Sequence, residues 1–407
     1  MLRRTEHGNI IVGLDVGTTK ICAVVGEVVN GALEFRGVST SSSTGLRKGV
    51  VVDLEATAES IKNAVKTAEA AMGVEINAVY VGISGGHIKG FNSYGAVGVR
   101  GKEVAQIDLD RVIDSAKAVY VPLDREVLHV IPTGYILDGQ NGIVDPVGMA
   151  GMRLEAKVYI VTGAVTSVQS LLKCCEKAGV EAIDIVFEPL ASAEAILTDD
   201  EKELGVAVVD IGGGTTDIIL YKDGWLRHSS VLAVGGNHFT NDIAVGLRIP
   251  VLEAERIKKD FGSAVTGTAG DSEEIDVVQS GRGKKILRRR LSEIIQPRAE
   301  ELLDLIKREL LSCSGYGIAS TGIVLTGGGS LLEGFSGMAE TVLGLPARIG
   351  FPKKMCGPEN IVHNPMYSTG AGLVLYGFET EGGRVFYADT FTGVFGKMKE
   401  WVKGIFK

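Results

Sequence analysis

The chain has 407 residues, of which 45% are hydrophobic and 23% charged, and its formal net charge is −8. This acidic balance argues against a general nucleic-acid binder, and so ordinary a composition argues against long disordered regions. The length exceeds the roughly 250 to 300 residues at which single hydrophobic cores stop growing, so we expect two or more domains.

Cysteine usage and the N-terminal residues bear on the compartment. The cysteines are odd in number and lack metal-ligand spacing, which indicates reduced thiols; they are Cys22, Cys174, Cys175, Cys313 and Cys356. "MLRRTEHGN" leads straight into a strand-like run, and no uncharged apolar run reaches roughly 18 residues. We therefore expect a cytoplasmic protein without a signal peptide or a spanning helix.

The opening segment reads as three strands, "NIIVGLDVG", "KICAVVGEVV" and "GALEFRGVSTS", with short glycine-marked connections. Apolar residues recur at spacings of three and four from Ala56 to Met72, which predicts a helix capped at Gly73. After the strand "NAVYVGIS", the predicted order of elements in residues 84–162 changes to strand, helix, strand and strand. We interpret this stretch as an inserted module.

The α/β pattern then resumes with the helix "SVQSLLKCCEKAGV" and the strand "AIDIVFEPL", which is predicted to end on Glu188. "GVAVVDIGGGTTDIILYKDG" and "WLRHSSVLAVGG" repeat the opening theme, and "TGIVLTGGGSLLEGFSGMAETVLG" is a third unit of strand, glycine turn and helix. A helical region containing "KILRRRLSEIIQPRAEELLDLIKRELL" lies between them. Two similar halves predict a two-lobed α/β protein.

Two matched turns indicate phosphate binding. Asp15 and Asp210 each end an apolar run and are followed by glycines and threonines. Glycines let backbone N–H groups converge on an anion, threonine hydroxyls add donors, and aspartates can hold Mg²⁺ through water. Tight hairpins with locally satisfied aspartates are the alternative. Neither a P-loop nor a Rossmann signature is present.

Five segments, "DVGTTK", "FEPLASAEA", "DIGGGTTD", "LTGGGSLLEGF" and "STGAGLVLYG", resemble in order the nucleotide-site motifs of the actin, Hsp70 and sugar kinase superfamily. Within it, the position of the inserted module, the "RRRLSEIIQPRAEELL" segment and the C-terminal tail are most similar to the FtsA family of bacterial cell-division proteins. The resemblance implies a two-lobed actin-like (ribonuclease H-like) ATPase fold with an inserted SHS2-type subdomain and a C-terminal amphipathic helix.

Carried onto this chain, the resemblance implies six parts. They are a first lobe (1A) at 1–83 and 163–197, the SHS2-type subdomain (1C) at 84–162, a second-lobe nucleotide core (2A) at 198–230 and 312–380, a helical subdomain (2B) at 231–311, a linker at 381–390 and a membrane-targeting helix at 391–407.

The same resemblance assigns site residues for ATP and Mg²⁺. Asp15 and Asp210 would hold the magnesium waters, and Glu188 would position the attacking water, with a helix-terminus or salt-bridge role as its alternative. The phosphate-binding residues would be Gly17, Thr18, Thr19, Lys20, Gly212, Gly213, Gly214, Thr215, Thr216, Gly235, Gly236 and Asn237. Glu255 and Lys258 would reach ribose or adenine, or merely form a solvated helix face. Gly327, Gly328, Gly329 and Ser330 would line the adenine's other side.

The last 17 residues, 391–407, alternate apolar and lysine positions at helical spacing. As a helix they would span roughly 25 Å, with an apolar face for the acyl boundary and lysines for anionic inner-membrane lipids. The predicted membrane contacts are Phe391, Val394, Phe395, Lys397, Met398, Lys399, Trp401, Val402, Lys403, Ile405, Phe406 and Lys407. A helix docked on the protein's own core is the alternative.

A basic segment precedes and enters a predicted helix with an apolar stripe. In the family that the chain resembles, this lobe receives the acidic C-terminal peptide of FtsZ, and arginine forks suit carboxylates. The candidate contacts are Arg288, Arg289, Arg290 and Arg298. A solvated charged helix is the alternative.

The resemblance therefore implies an ATP-binding protein with at most slow ATPase activity that tethers FtsZ filaments to the inner face of the cell membrane at the septum, recruits later divisome proteins and self-associates into actin-like filaments. It implies no nucleic-acid partner. A small-molecule kinase of the same superfamily and an actin-like protein of a pilus assembly platform are the alternatives.

Overall fold

The computed structural model describes residues 9–268, 272–279, 282–313, 317, 319–353, 357–358 and 363–381. The predicted membrane-targeting helix at 391–407 and all but the first residue of the predicted linker lie outside the described residues. No helix in the described ranges is both long enough and apolar enough to cross a bilayer.

The first sheet carries the N-terminal glycine turn, which follows Asp15. β1 (Ile10–Val16), β2 (Lys20–Val29) and β3 (Ala32–Ser42) form an antiparallel meander, and β6 (Ala78–Ile83) and β11 (Glu181–Phe187) extend it in parallel on the β1 side. Between β3 and β6 come a short hairpin, β4 (Leu46–Arg47) and β5 (Val50–Val51), and α1 (Leu54–Met72). As predicted, α1 ends at Gly73, whose φ of 66° suits glycine.

The inserted module is a separate antiparallel sheet with its own core. Its strands are β7 (Lys89–Gly98), β8 (Arg125–Leu137), β9 (Gln140–Ile143) and β10 (Arg153–Ala164), in the order β7-β10-β8-β9, and α2 (Gln106–Lys117) contacts β7 and β10. The predicted strand, helix, strand, strand order is confirmed, with the short β9 added. Because β7 leaves and β10 returns side by side, the module connects to the first lobe at one place.

The second sheet repeats the first. Its order is β14 (Trp225–Leu232), β13 (Thr216–Lys222), β12 (Val206–Ile211), β17 (Ile323–Thr326) and β18 (Ala347–Ile349), with β12 and β13 forming the hairpin that matches β1 and β2. The two hairpins therefore occupy equivalent places in two sheets, which is the architecture expected of a two-lobed actin-like fold.

The remaining helices are α3 (Val165–Ala178), α4 (Glu188–Ile196), α5 (Asp199–Leu204), α6 (Gly236–Leu247), α7 (Val251–Phe261), α8 (Arg288–Ser312), α9 (Phe335–Leu343) and α10 (Ser368–Glu381). α10 packs on α4 and β1, and its Leu373 and Val374 belong to the core of the first lobe. The sequence assigned 312–380 to the second lobe, so that assignment is wrong for 368–380. Gly370 and Gly372 permit the close approach, since a Cβ at either would collide with the first lobe.

Two further sequence expectations need correction. The strand predicted to end on Glu188 ends at Phe187, and Glu188 begins α4 because Pro189 favours the first turn of a helix. The basic segment opens as a hairpin of β15 (Glu274–Gln279) and β16 (Arg282–Leu287) before α8 starts. Alternate burial of Ile275 and Val277 gives β15 the period of two that a strand requires.

Candidate nucleotide site

The site is built from the turns of the two matched hairpins, which face each other in direct contact. A Cβ at Gly213 would lie 2.5 Å from the Thr19 hydroxyl oxygen, and one at Gly214 would lie 2.7 Å from that of Thr18. Side chains at these glycines would force the turns apart. The sequence predicted that the turns oppose each other, and the structure shows the packing that makes glycine necessary there.

Asp15 and Lys20 flank the first turn. Asp15 is 8% exposed at the end of β1, and its carboxylate lies 3.6 Å from the Lys20 ammonium. Burial raises the pKa of Asp15, and Lys20 partly offsets this. Lys20 also donates to the carbonyl of Met366 at 2.6 Å, so its ammonium is held at the base of the cleft.

Asp210 ends β12 and is fixed by two hydroxyls. Ser192 donates to its Oδ2 at 2.7 Å and Thr369 donates at 3.3 Å, from helices α4 and α10. Burial, with a contribution from Asp15, raises the pKa of Asp210 to about 6. Hydroxyls of the first lobe thus hold a carboxylate of the second lobe, which fixes how the two turns meet.

Glu188 lies in the same buried electrostatic environment. Burial raises its pKa well above the ordinary value, and Asp15, Asp217 and Asp210 add to the effect in that order. Each carboxylate disfavours ionisation of its neighbours, so a cation among them would lower the free energy of the charged forms. This arrangement suits Mg²⁺ with its water shell.

Asp217 is the residue that the sequence interpretation missed. It accepts a hydrogen bond from Ser84, which directly follows β6 of the first lobe, and one from Thr215 at 3.5 Å, and burial raises its pKa to about 7. The signal was available: Asp217 closes the "DIGGGTTD" segment and lies opposite Asp210 in the β12–β13 register. The described residues contain no group of three or more His, Cys, Asp or Glu side chains that could hold a metal ion directly; ligation through water, as predicted, does not need one.

A third turn is joined to the second by backbone hydrogen bonds. Gly236 donates to Gly212 O at 2.9 Å and Asn237 donates to Gly213 O at 2.8 Å, while a Cβ at Gly235 would lie 2.6 Å from Gly212 O. Residues 235–237, which the sequence predicts to approach the phosphates, therefore lie against the second turn.

Lys258 and Glu255 border this third turn. They form an ion pair at 2.6 Å, and Lys258 also donates to Gly236 O at 3.1 Å and to Thr240 at 2.9 Å. α7 thus directs this pair toward the glycines, which a merely solvated helix face would not do.

The turn at 327–330 packs on the second hairpin. Gly327 has a φ of 79°, and a Cβ there would lie 2.6 Å from Ile211 O. A Cβ at Gly329 would also collide with Ile211, whereas a Cβ at Gly328 would lie 3.5 Å from the Met366 side chain. These glycines bring the backbone of the third unit against β12.

The hydroxyls of two predicted site residues are used within the protein. The Thr216 hydroxyl is buried in β13 and donates to Val234 O at 2.8 Å, and the Ser330 hydroxyl is buried and donates to Gly327 O at 2.7 Å. Both hydroxyls are therefore used in holding turns rather than directed at a ligand.

The four candidate partner-binding arginines differ in their surroundings. Arg288 pairs with Glu273 and Glu333, and Arg298 pairs with Asp242 at 2.6 Å and with Glu301. Both side chains are held by ion pairs within the second lobe, which argues against the predicted contact of Arg288 and Arg298 with a partner peptide. The side chains of Arg289 and Arg290 are 54% and 62% exposed, and both lie beside Glu293.

Family models match two parts of the chain. The model described as cell division protein FtsA matches residues 207–372, and that described as the SHS2 domain inserted in FTSA matches residues 85–162. The cell division protein FtsA of Pseudomonas aeruginosa is 43% identical over 98% of this chain and 99% of its own length. The chain belongs to the FtsA family of cell division proteins. The family member of Escherichia coli is 40% identical, with 93% of each chain covered.

Solved structures agree on the fold of this FtsA family member. A PilM–PilN type IV pilus biogenesis complex matches with a TM-score of 0.68 at 18% identity, covering 91% of this chain and 98% of the other. MreB5 of Spiroplasma citri bound to ADP matches with a TM-score of 0.58 at 17% identity, covering 92% and 99%. MamK in a double helical filament matches at 0.52 and 14% identity, covering 90% and 98%. At these identities the likeness shows an actin-like fold.

Proposed function

We propose that this protein binds ATP with Mg²⁺ between its two lobes and tethers FtsZ filaments to the cytoplasmic membrane at the septum. The observation that carries the nucleotide part is the direct apposition of two glycine turns beside buried carboxylates that mutually raise their pKa values. Glycine turns supply backbone donors for phosphates, and Mg²⁺ would neutralise the carboxylates.

The proposed roles follow from position. Asp15 and Asp210 hold Mg²⁺ through water, and Glu188 orients the attacking water. Phosphates lie against 17–20, 212–215 and 235–237, and Glu255, Lys258 and the glycines at 327–329 contact ribose and adenine. Asp217 joins this set as a further carboxylate. Thr216 and the side chain of Ser330 do not.

Bound ATP acts mainly as a conformational ligand with at most slow hydrolysis. Ser84 and Asp217, and Ser192 and Asp210, join the two lobes at the site, so a ligand that contacts both turns stabilises the closed arrangement. Closed subunits then associate head to tail into actin-like filaments. MreB5 with bound ADP and MamK in a double helical filament share this fold and support nucleotide binding and filament formation.

The tether is the segment 391–407, which we propose forms an amphipathic helix on anionic lipid. Its apolar and lysine positions support this, together with membership of the FtsA family.

We further propose that Arg289 and Arg290 receive the acidic C-terminal peptide of FtsZ, because their side chains are exposed on α8. Later divisome proteins are recruited to the same complex. The domain division stands as proposed, with 368–380 moved to the first lobe.

A vesicle co-sedimentation experiment tests the tether. Full-length protein and a variant ending at residue 390 are pelleted with vesicles containing anionic lipid, with and without FtsZ. We expect the full-length protein to carry FtsZ into the pellet and the truncated protein to leave it in the supernatant. A quadruple substitution of Lys397, Lys399, Lys403 and Lys407 by Glu is the matched control for charge. Equal pelleting of truncated and full-length protein would show that the tether is elsewhere.

A further inference from the structure

A small cavity lies beside the first glycine turn, next to Glu188. Its volume is about 30 Å³, room for at least one water molecule. The polar residues of its lining are Thr18, Ser84, His87, Ser167, Glu188 and Thr215. The cavity therefore connects the residue proposed to orient water with the start of the inserted module.

His87 is the group in this cavity that the proposed function leaves without a role. Both of its ring nitrogens are buried, and neither has a hydrogen-bond partner within the described part of the chain. Leaving a buried ring nitrogen unpaired costs free energy, and a water molecule in a polar cavity removes that cost. We therefore expect a water molecule between the imidazole and the other polar groups of the lining.

The imidazole is held in place from its backbone. Arg125 donates to the His87 carbonyl at 2.9 Å and also to Thr162 O at 2.8 Å, which fixes the point where the module leaves the first lobe. Burial, with the adjacent Arg125 charge, lowers the pKa of His87 to about 4. The ring is then neutral near pH 7, with one nitrogen donating and the other accepting.

Glu188 closes another side of the cavity. It is half-buried, and its Oε1 lies against Gly82, where a Cβ would be 3.1 Å away. The Thr18 hydroxyl is used by Gly49, whose N–H donates to it at 3.2 Å, and the Ser84 hydroxyl is used by Asp217. Glu188 and His87 both line the cavity and can hold a water molecule there.

We propose that this cavity holds the water that attacks the terminal phosphate of ATP, and that His87 is its positioning residue opposite Glu188. This rests on the proposed ATP-binding function. The water oxygen forms a bond to the γ-phosphorus, and the bond from that phosphorus to the bridging oxygen breaks, its electron pair remaining on ADP. One water proton stays on the attacking oxygen and the other moves to a phosphate oxygen, giving dihydrogen phosphate. His87 orients the water and exchanges no proton.

Substitutions separate this role from nucleotide binding. In His87→Leu the water loses its second partner, so we expect single-turnover hydrolysis about tenfold slower, with ATP affinity within about twofold of wild type. In His87→Gln the amide can still donate and accept, so much of the rate returns. His228→Gln, which alters a histidine paired with Glu309 at 3.0 Å on the second lobe, is the matched control and should hydrolyse at the wild-type rate.

Two outcomes would overturn the proposal. One is a wild-type hydrolysis rate in His87→Leu at unchanged affinity. The other is an equal loss of hydrolysis and affinity in both His87 variants, which would show a purely structural role.

A measurement on the nucleotide-free wild-type protein tests the water without any activity. Magnetisation transfer in NMR should show a long-lived water next to the ring protons of His87, and this signal should vanish in His87→Leu. An imidazole without such a contact would contradict the proposal even if ATP binds. If wild-type protein fails to bind ATP, the proposed function and the hydrolytic role fail together, while the NMR result still decides whether the water is there.

Discussion

The Nε2 atom of His129 accepts a hydrogen bond from the backbone N–H of Phe187 at 2.9 Å. His129 lies on β8 of the inserted module and Phe187 ends β11, immediately before Glu188. The module thus holds the strand end from which the proposed water-positioning carboxylate projects. Only a neutral imidazole can accept this bond, and burial lowers the pKa of His129 to about 4.

This contact predicts a pH dependence of stability. The pKa of His129 falls from 6.5 in the unfolded chain to about 4 in the fold, so the unfolded state binds more protons between these values. The stabilisation is present above pH 6.5 and is lost as the pH falls through about 4, by up to about 3 kcal/mol in total. His129→Gln should therefore be less stable than wild type at pH 7 by about 1 kcal/mol. The difference should shrink below pH 6.5 and change sign toward pH 4, because only wild type loses the stabilisation of the neutral imidazole. Urea unfolding at several pH values measures this, and a gap that is constant with pH would contradict it.

A second prediction concerns the contact between the module and the second lobe. The Tyr159 hydroxyl accepts from the N–H of Ser229 at 2.9 Å and lies 3.0 Å from the Ser229 hydroxyl. Tyr159→Phe leaves the buried N–H unpaired, so the free energy of unfolding should fall by about 1 to 3 kcal/mol. The control is Tyr94→Phe, which alters a tyrosine 68% exposed on the same module and should change it by less than about 0.5 kcal/mol. Equal values for the two variants would argue against the contact.

Gly214→Ala tests the apposition of the turns. The added Cβ would lie 2.7 Å from the Thr18 hydroxyl, so the turns must separate, and ATP affinity should fall by at least about tenfold. Gly337→Ala is the matched control, because it lies exposed on α9 with nothing within 4 Å, and there alanine should stabilise the helix by about 0.5 to 1 kcal/mol. Calorimetric titration with ATP and Mg²⁺ compares them. Wild-type affinity in Gly214→Ala would mean that the turns need not touch when nucleotide binds.

Asp210→Ala tests the magnesium role. Removing a carboxylate held by Ser192 and Thr369 should weaken Mg²⁺-dependent ATP binding by at least about 100-fold and prevent ATP-dependent assembly. Asp304→Ala, an exposed aspartate on α8, should leave both unchanged. Fluorescence titration and light scattering give the two readouts. Unchanged affinity and assembly in Asp210→Ala would exclude the assigned role.

Charge reversal tests the partner surface on α8. A double variant, Arg289→Glu with Arg290→Glu, should weaken binding of the FtsZ C-terminal peptide by at least about tenfold, because two exposed cations become anions facing an acidic ligand. Stability should stay close to wild type, since exposed pairs contribute about 0 to 1 kcal/mol. Arg308→Glu, exposed on the same helix, is the control. Fluorescence anisotropy with a labelled peptide measures the difference, and equal effects of the two would point to net charge alone.

Much of the fold could be predicted from local patterns. The helix α1 was predicted from Ala56 to Met72 and runs from Leu54 to Met72, and the strand, helix, strand, strand order of the module was predicted correctly. Alternation and spacings of three and four follow which residues are buried, so they predict such elements well. β16 was missed because Arg282, Lys284 and Lys285 obscured a short strand pattern, and β15 was missed because it is a short strand with polar residues on both sides. α10 was assigned to the wrong lobe because the apolar pattern of a helix does not indicate which of the two sheets it packs on.

The sequence by itself determined the two aspartate and glycine turns, the inserted module and the family, since each depends on residue types at short spacing. Only the tertiary structure decided that Thr18 and Thr19 meet Gly213 and Gly214, that Asp217 belongs among the carboxylates, and that Arg288 and Arg298 are already paired. Those facts depend on which surfaces pack together across the two lobes. Packing of this kind is set by the shapes and charges of residues far apart in the chain, and local spacing does not encode it.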